Sequence, residues 1–229
     1  MCDQMKRNAA KYLCTVVAQC ILGALTFFLA AGSWNVPRGA FYFAIYFLAS
    51  LSGGLYLYLT NAETLEARKE IAGNTKKWDA PILKLFVLLS YFGIYVAAGL
   101  SQRLGQPYPP VILYWVGIVM TVAATIILIW AVKENRNFES SVRIQNNRNH
   151  TVCSSGPYTF IRHPGYFSIV MWAVAMVMMF GCYTGIVSAL ITILLVVRTI
   201  LEDAMLHSQL PGYAEYSKKV RYRLLPAVW

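Results

Sequence analysis

The stretch PGYFSIVMWAVAMVMMFGCYTGIVSALITILLVV, residues 164–197, contains no charged side chain. As a single helix rising about 1.5 Å per residue it would measure about 51 Å, well beyond the roughly 30 Å hydrocarbon core of a bilayer. Its centre, Gly-Cys-Tyr-Thr-Gly at 181–185, is typical of a turn. The sequence therefore predicts a helical hairpin of two short membrane spans, about 165–181 and 184–201.

Four further uncharged runs precede this hairpin, at 12–32, 39–60, 85–102 and 104–132. The last is apolar mainly from Val111 onward, after a proline-rich break. The composition agrees, because 58% of the residues are hydrophobic and only 13% are charged, against about 25% charged in soluble proteins. The first run is longer than the apolar core of a signal peptide, so we expect it to be retained. The predicted fold is all-α, a polytopic transmembrane helical bundle of about six spans.

The basic residues support six spans and give them an orientation. All except Arg38 and Arg103 lie in four places: the N-terminal segment, 61–84, 133–163 and the segment after Val197. Six spans put these four places on one side of the membrane, which the positive-inside rule assigns to the cytoplasm. We therefore expect a multi-pass integral membrane protein with both termini cytoplasmic. The net charge of +10 then reflects topology and attraction to membrane lipids rather than nucleic-acid binding.

The loop 133–163 carries polar residues next to the predicted hairpin, and it suggests a division into a four-span region, 1–132, and a second region, 133–229, made of this loop, the hairpin and the C-terminal segment. Pro164 suits the first turn of a helix, so Arg162 and His163 would lie at a helix N-terminus. Free N–H groups at that point favour an anion such as a carboxylate. The alternative interpretation of Arg162 and His163 is a plain interfacial anchor.

Two further segments carry charge beside the predicted spans. Arg198 and Glu202 are four residues apart and share one helical face. They either form a salt bridge with each other or serve a function, because ionisable residues at a membrane-helix end are costly. Residues 206–226 are amphipathic and basic, which predicts an interfacial helix and a closing segment. The loop 61–80 is either a short amphipathic surface helix or a solvated connector.

The order and spacing of several short motifs resemble the isoprenylcysteine carboxyl methyltransferase family, including its members of prokaryotic type. The resemblance covers about 133–229, and the stretch 61–79 is similar to prokaryotic members as well. The motifs are Gly156-Pro157-Tyr158, Arg162-His163-Pro164-Gly165-Tyr166, Arg198 with Glu202, Pro211-Gly212-Tyr213 with Tyr216, and Arg223 with Pro226.

This resemblance implies a membrane methyltransferase that uses S-adenosyl-L-methionine, held in a cytoplasmic pocket capped by the C-terminal helices. It implies a lipophilic methyl acceptor and no metal. Arg198 would hold the carboxylate of the acceptor, and Arg162 and His163 would share the catalytic role. The implied cofactor-binding residues are Gln145, His150, Thr151, Val152, Cys153, Tyr158, His163, Pro164, Gly165, Tyr166 and Glu202.

The chemistry fits these residue types. Methyl transfer from a sulfonium needs mainly alignment, and a carboxylate acceptor needs a positioning cation rather than a base. An amine or thiol acceptor would need deprotonation, for which His163 or Glu202 are the nearby candidates. Four other functions remain open: a phospholipid N-methyltransferase, a small-molecule methyltransferase, a sterol-reductase-like NADPH enzyme, and a non-catalytic membrane scaffold.

Overall fold

The computed structural model describes residues 2–67, 76–145 and 149–229, and every regular element in these ranges is helical. The helices are α1 Cys2–Ala31, α2 Pro37–Thr60, α3 Ala62–Ala67, α4 Asp79–Leu88, α5 Ile94–Arg103, α6 Val111–Glu134, α7 Pro164–Phe180, α8 Cys182–Gln209 and α9 Tyr213–Lys219. A π-helical turn, Leu89–Gly93, joins α4 to α5 without a break, and a 3₁₀ turn, Gly156–Thr159, precedes α7. The predicted all-α bundle is confirmed.

Five helical stretches are long and apolar enough to cross a membrane: Lys11–Ala31 of α1, α2, the continuous α4–α5, α6 and α8. Large apolar side chains cover their outer faces, among them Leu29 at 67% exposure and Ile193 at 58%. Such a surface suits lipid and would be a liability in water. The protein is therefore a multi-pass integral membrane protein. Helix α7 is also apolar but has only 17 residues, so the sixth span stays a prediction.

The predicted hairpin is formed by α7 and α8, and its turn is tighter than expected. Gly181 alone separates the two helices, with φ +91° and ψ −159°. Only glycine adopts this backbone conformation without strain. Helix α8 then continues eight residues beyond the predicted end, to Gln209, so Glu202 and Asp203 lie within it. Within this extension Asp203 is buried against Arg162, whereas the polar residues of the last turn, 207–209, are exposed.

Helix α7 packs along α6 on one side and against α8 on the other, while α1 packs against α2 and α5. A Cβ at Gly117 of α6 would lie 2.5 Å from Met179 Cγ of α7, so the absent side chain permits this close approach. The main core, which includes Phe27, Tyr42 and Met176, runs through the centre of the bundle.

The third predicted span begins earlier than expected, at Asp79 instead of Leu85. Asp79 is completely buried, and its partners, described below, compensate its charge. Part of the predicted surface helix at 61–80 is α3, and residues 68–75 of that prediction lie outside the described residues. The predicted interfacial helix corresponds to α9 after the end of α8. The division at 132 and 133 stays a prediction.

Candidate active site

A cavity of about 780 Å³ opens among the loop 135–163, the start of α7, the second half of α8 and α9. We call it the donor cavity. Its lining includes every residue that the sequence predicted for the cofactor: Gln145, His150, Thr151, Val152, Cys153, Tyr158, His163, Pro164, Gly165, Tyr166 and Glu202. The predicted Arg162 also lines it, and Arg198 does not. The fold thus brings side chains from three separate parts of the sequence into one lining.

Amide hydrogen bonds hold the first part of the loop. Asn135 follows the end of α6, and its Oδ1 accepts the N–H of Asn137 at 2.9 Å, as in a turn. Gln145, which is 1% exposed, donates from Nε2 to the carbonyl oxygen of Asn137 at 2.7 Å. Its Oε1 accepts from Asn137 Nδ2 at 3.2 Å. The Gln145 side chain therefore supports the loop that forms one wall of the donor cavity.

His150 and Cys153 are neutral in this wall at pH 7. The backbone N–H of Gln145 donates to His150 Nδ1 at 3.4 Å, which requires an unprotonated Nδ1. Burial, together with the positive charge of Arg143, lowers the pKa of His150. Burial raises the pKa of the Cys153 thiol, so Cys153 is a poor nucleophile. These two side chains therefore present no charge to a ligand.

Three tyrosines form an aromatic face on another side of the donor cavity. Tyr216 donates from its hydroxyl to the carbonyl oxygen of Tyr158 at 2.7 Å, and Tyr213 donates to Asp203 Oδ1 at 2.7 Å. Burial raises the pKa of all three phenols, so they stay protonated. Gly212, with φ +82°, turns the chain so that α9 can bring Tyr213 and Tyr216 back to the cavity.

Asp203 joins the C-terminal segment to the start of α7. Its Oδ2 accepts from Arg162 Nη2 and from Arg223 Nε, both at 2.9 Å. The backbone N–H groups of Arg162 and His163 donate to the carbonyl oxygens of Tyr222 and Arg223, both at 2.9 Å. Much of the donor capacity of Arg162 is therefore used within the protein. Its catalytic role stays a prediction, and the contacts suit a residue that closes the cavity.

Glu202 and Tyr166 are in contact in the lining of the donor cavity. The Tyr166 hydroxyl donates to Glu202 Oε2 at 2.5 Å, and the His163 ring stacks parallel to the Tyr166 ring with centroids 5.6 Å apart. Among the described residues no ion pair involves Glu202. The expected alternative of a salt bridge between Arg198 and Glu202 is wrong for this structure.

A second and larger cavity, of about 1140 Å³, lies deeper in the bundle among α2, α4, the π-helical turn, α6, α7 and α8. We call it the acceptor cavity. Its walls are largely apolar, with Phe86, Leu128 and Trp172 among the lining residues. Four residues line both cavities: Phe138, Glu139, Gly165 and Tyr166. The two cavities therefore adjoin at these four residues, next to the Tyr166–Glu202 hydrogen bond.

Arg198 lines the acceptor cavity rather than the donor cavity. Its guanidinium is paired with Asp79, Nε to Oδ1 at 2.7 Å and Nη2 to Oδ2 at 3.1 Å. Nη2 also donates to the carbonyl oxygen of Ser140 at 2.5 Å, and the guanidinium lies 5.4 Å from the centre of the Tyr166 ring. Arg198 thus stands beside the junction of the cavities, next to Tyr166.

Comparison with known proteins shows a similarity in this region. Residues 115–208, which are less than half of the chain, match the isoprenylcysteine carboxyl methyltransferase (ICMT) family. Two rice proteins, from Oryza sativa subsp. indica and subsp. japonica, are each described as a probable protein-S-isoprenylcysteine O-methyltransferase. Each is 35% identical over 72 residues, which are 29% of this chain and 38% of the relative. The similarity thus spans well under half of these relatives.

We call residues 115–208 the ICMT segment. It runs from α6 through the loop and α7 into the end of α8. It contains every residue predicted for the cofactor, and it also contains Arg198. It excludes α9 and Asp79, which the sequence-based prediction did not include in the site. The aromatic Tyr213 and Tyr216 were signalled by the Pro-Gly-Tyr motif. Asp79 carried a weaker signal, a lone acidic residue directly before an uncharged helix, and its partner is 119 positions away.

Proposed function

We propose that the protein is an S-adenosylmethionine-dependent integral membrane methyltransferase that methylates a lipophilic acceptor, with the carboxylate of an isoprenylcysteine as the best candidate. One observation carries this proposal: the donor cavity, with its charged and polar side chains, adjoins a large apolar cavity at Tyr166 and Phe138, two residues of the ICMT segment. Such an arrangement suits an enzyme whose two substrates differ strongly in polarity. The matching family and the rice relatives support the same activity.

The residues of the donor cavity fit the cofactor. S-adenosylmethionine supplies an electrophilic methyl group on a sulfonium. Tyr158, Tyr213 and Tyr216 offer aromatic surface for an adenine ring. Glu202 offers a carboxylate to a positively charged group of the ligand. Arg162 Nε is buried without a hydrogen bond, so it can meet a ligand carboxylate at the start of α7. His163 Nε2 already lies 3.5 Å from Asp203 Oδ1.

The residues around the junction would align the reactants and exclude water. Tyr166 forms the shared wall, and its hydroxyl is fixed by Glu202. The apolar walls around Phe86, Leu128 and Trp172 would bury a hydrocarbon chain, which is worth about 0.8 kcal/mol for each CH₂ group. Arg198 would position the acceptor carboxylate from the acceptor cavity. No base is required, because a carboxylate is already ionised at pH 7.

The orientation and the remaining alternatives belong to the same proposal. With the donor cavity at the end of the bundle that carries the basic loop 133–163, we place this end and both termini on the cytoplasmic side. The acceptor would enter from the membrane and the cofactor from the cytoplasm. Phospholipid amines, small thiols and hydride transfer from NADPH are the competing chemistries.

The test is a transfer assay with S-adenosylmethionine labelled in its methyl group. Purified protein in lipid nanodiscs is offered a prenylcysteine, phosphatidylethanolamine or a small thiol, and binding of S-adenosylhomocysteine and NADPH is measured by calorimetry. We expect label in the prenylcysteine as a base-labile ester, and heat from S-adenosylhomocysteine but not from NADPH. Label in the amine or thiol would replace the proposed acceptor. Binding of NADPH without binding of S-adenosylhomocysteine would reject the methyltransferase.

A further inference from the structure

We propose that Asp79 is a positioning residue that orients Arg198 and weakens its attraction for an acceptor carboxylate. Arg198 then holds the carboxylate loosely enough for it to react. The inference rests on the proposed function and deepens it. Asp79 is completely buried at the start of α4. Its carboxylate accepts two hydrogen bonds from Arg198 and a third from the N–H of Val142 at 2.8 Å.

The geometry fixes the guanidinium plane and leaves one nitrogen for a ligand. Nε and Nη2 of Arg198 donate to Asp79 and to the carbonyl oxygen of Ser140. In the part of the chain that the structure describes, Nη1 has no hydrogen-bond partner, and the residue lines the acceptor cavity. An acceptor carboxylate would therefore meet Nη1 of a guanidinium that cannot rotate without losing its bonds to Asp79.

The charge balance explains why such a device is useful. Arg198 and Asp79 together are neutral, and the nearby Glu139 is paired with Arg143, Nε to Oε2 at 2.6 Å. A lone buried arginine would attract a carboxylate strongly and hold the electron pair that must attack the methyl carbon. The neutral pair attracts the carboxylate only through Nη1 of Arg198, so the carboxylate stays nucleophilic.

The pairing also suits the product. In the transfer, a carboxylate oxygen forms a bond to the methyl carbon while the bond between that carbon and sulfur breaks. The electron pair of the broken bond stays on sulfur, which becomes a neutral thioether, and the acceptor becomes a neutral ester. An arginine without Asp79 would then be a buried, unpaired charge, which is costly. With Asp79 in place, loss of the acceptor charge leaves Arg198 compensated and the ester free to leave.

The test compares Asp79→Asn with wild type, using N-acetyl-S-farnesylcysteine as substrate and its carboxamide as a neutral competitive inhibitor. Asparagine keeps a hydrogen-bonding oxygen and removes the charge. We expect the KM for the carboxylate to fall about tenfold and kcat to fall about tenfold, while the inhibition constant of the carboxamide is unchanged. Asp79→Glu, which keeps the charge, is the control and should retain the wild-type preference. Unchanged preference in Asp79→Asn, or equal shifts for both ligands, would overturn the inference.

In Asp79→Asn the charge of Arg198 has no partner, and this variant can fail to fold. A second pair of variants tests the inference in that case. Arg198→Gln leaves Asp79 as an uncompensated negative charge, and the double variant D79N/R198Q removes it. We expect the double variant to bind the carboxylate more tightly than R198Q and to bind the carboxamide equally. If Asp79 had only a structural role, the double variant would change the binding of the carboxylate and of the carboxamide alike. Such a result would contradict the inference. The proposed function fails separately, if wild type neither binds S-adenosylhomocysteine nor transfers methyl groups.

Discussion

At the scale of single residues, Glu202 is a carboxylate of the donor-cavity lining for which the described residues supply no ion pair. It accepts a hydrogen bond from Tyr166 and faces the donor cavity. We expect Glu202→Gln to weaken S-adenosylmethionine binding about 10- to 100-fold, the value of a hydrogen bond to a charged group. Calorimetry measures this. Glu215→Gln, on the exposed side of α9, is the matched control and should bind normally.

His150 predicts a dependence of stability on pH. Burial and Arg143 lower its pKa in the folded protein, whereas the unfolded chain has a pKa of about 6.5. Below about pH 6.5 the unfolded state takes up a proton that the folded state resists, so the free energy of unfolding falls as the pH falls. At pH 7.5 this loss is absent.

The measurement is the thermal midpoint in detergent at pH 7.5 and pH 5.5. Wild type should lose more stability between these values than His150→Gln, which carries no titrating group at this position. Equal losses in the two proteins would show that protonation of His150 does not contribute.

Residue types and motif order predicted the donor cavity well. The residues predicted for the cofactor all line it, although their roles stay predictions, whereas Arg198 of the same motifs does not. The sequence could not reveal that Arg198 turns away from Glu202 toward Asp79. The i and i+4 spacing places Arg198 and Glu202 on one helical face, but tertiary packing decides which partner each side chain reaches. A contact between residues 119 positions apart leaves no local pattern in one sequence.

At the scale of helices, uncharged runs predicted which segments are helical better than where they end. Helix α4 starts at Asp79 and α8 continues past Val197 because Asp79, Arg198 and Asp203 are buried against protein partners. Hydropathy treats such residues as leaving the membrane. The last polar residues of α8, 207–209, are exposed. The hairpin turn was predicted correctly in position, but the sequence could not show that Gly181 alone makes it while Gly185 is helical.

This difference between two glycines gives a prediction. Gly181 has a backbone conformation that only glycine adopts easily, so Gly181→Ala should lower the free energy of unfolding by about 1–3 kcal/mol. Gly185 lies within α8, and a Cβ there would lie 3.7 Å from Val177 Cγ1, an ordinary contact. Gly185→Ala should be neutral or stabilising by up to about 1 kcal/mol. Unfolding in mixed micelles compares them, and equal destabilisation would contradict the assigned turn.

At the scale of the whole molecule, the two cavities divide the reactants between a polar and an apolar compartment. Ala124 of α6 is buried and lines only the acceptor cavity. Ala124→Leu should raise the KM of a prenylated acceptor roughly tenfold, because the added carbons displace about two CH₂ groups worth about 0.8 kcal/mol each. Binding of S-adenosylhomocysteine should not change.

The matched control is Ala189→Leu, at an exposed position of α8 that lines neither cavity. It should leave the KM of the acceptor and the binding of S-adenosylhomocysteine as in wild type. A rise in KM for this variant as well would mean that the acceptor does not occupy the proposed cavity.

The most direct measurement of the central claim is a structure of the protein in nanodiscs with S-adenosylhomocysteine and a prenylcysteine bound together. The account predicts the thioether sulfur in the donor cavity and the acceptor carboxylate beside Arg198, facing each other across Phe138 and Tyr166. It predicts the prenyl chain between α4 and α6. Ligands bound in cavities that do not meet at Tyr166, or a nucleotide bound away from Glu202, would contradict it.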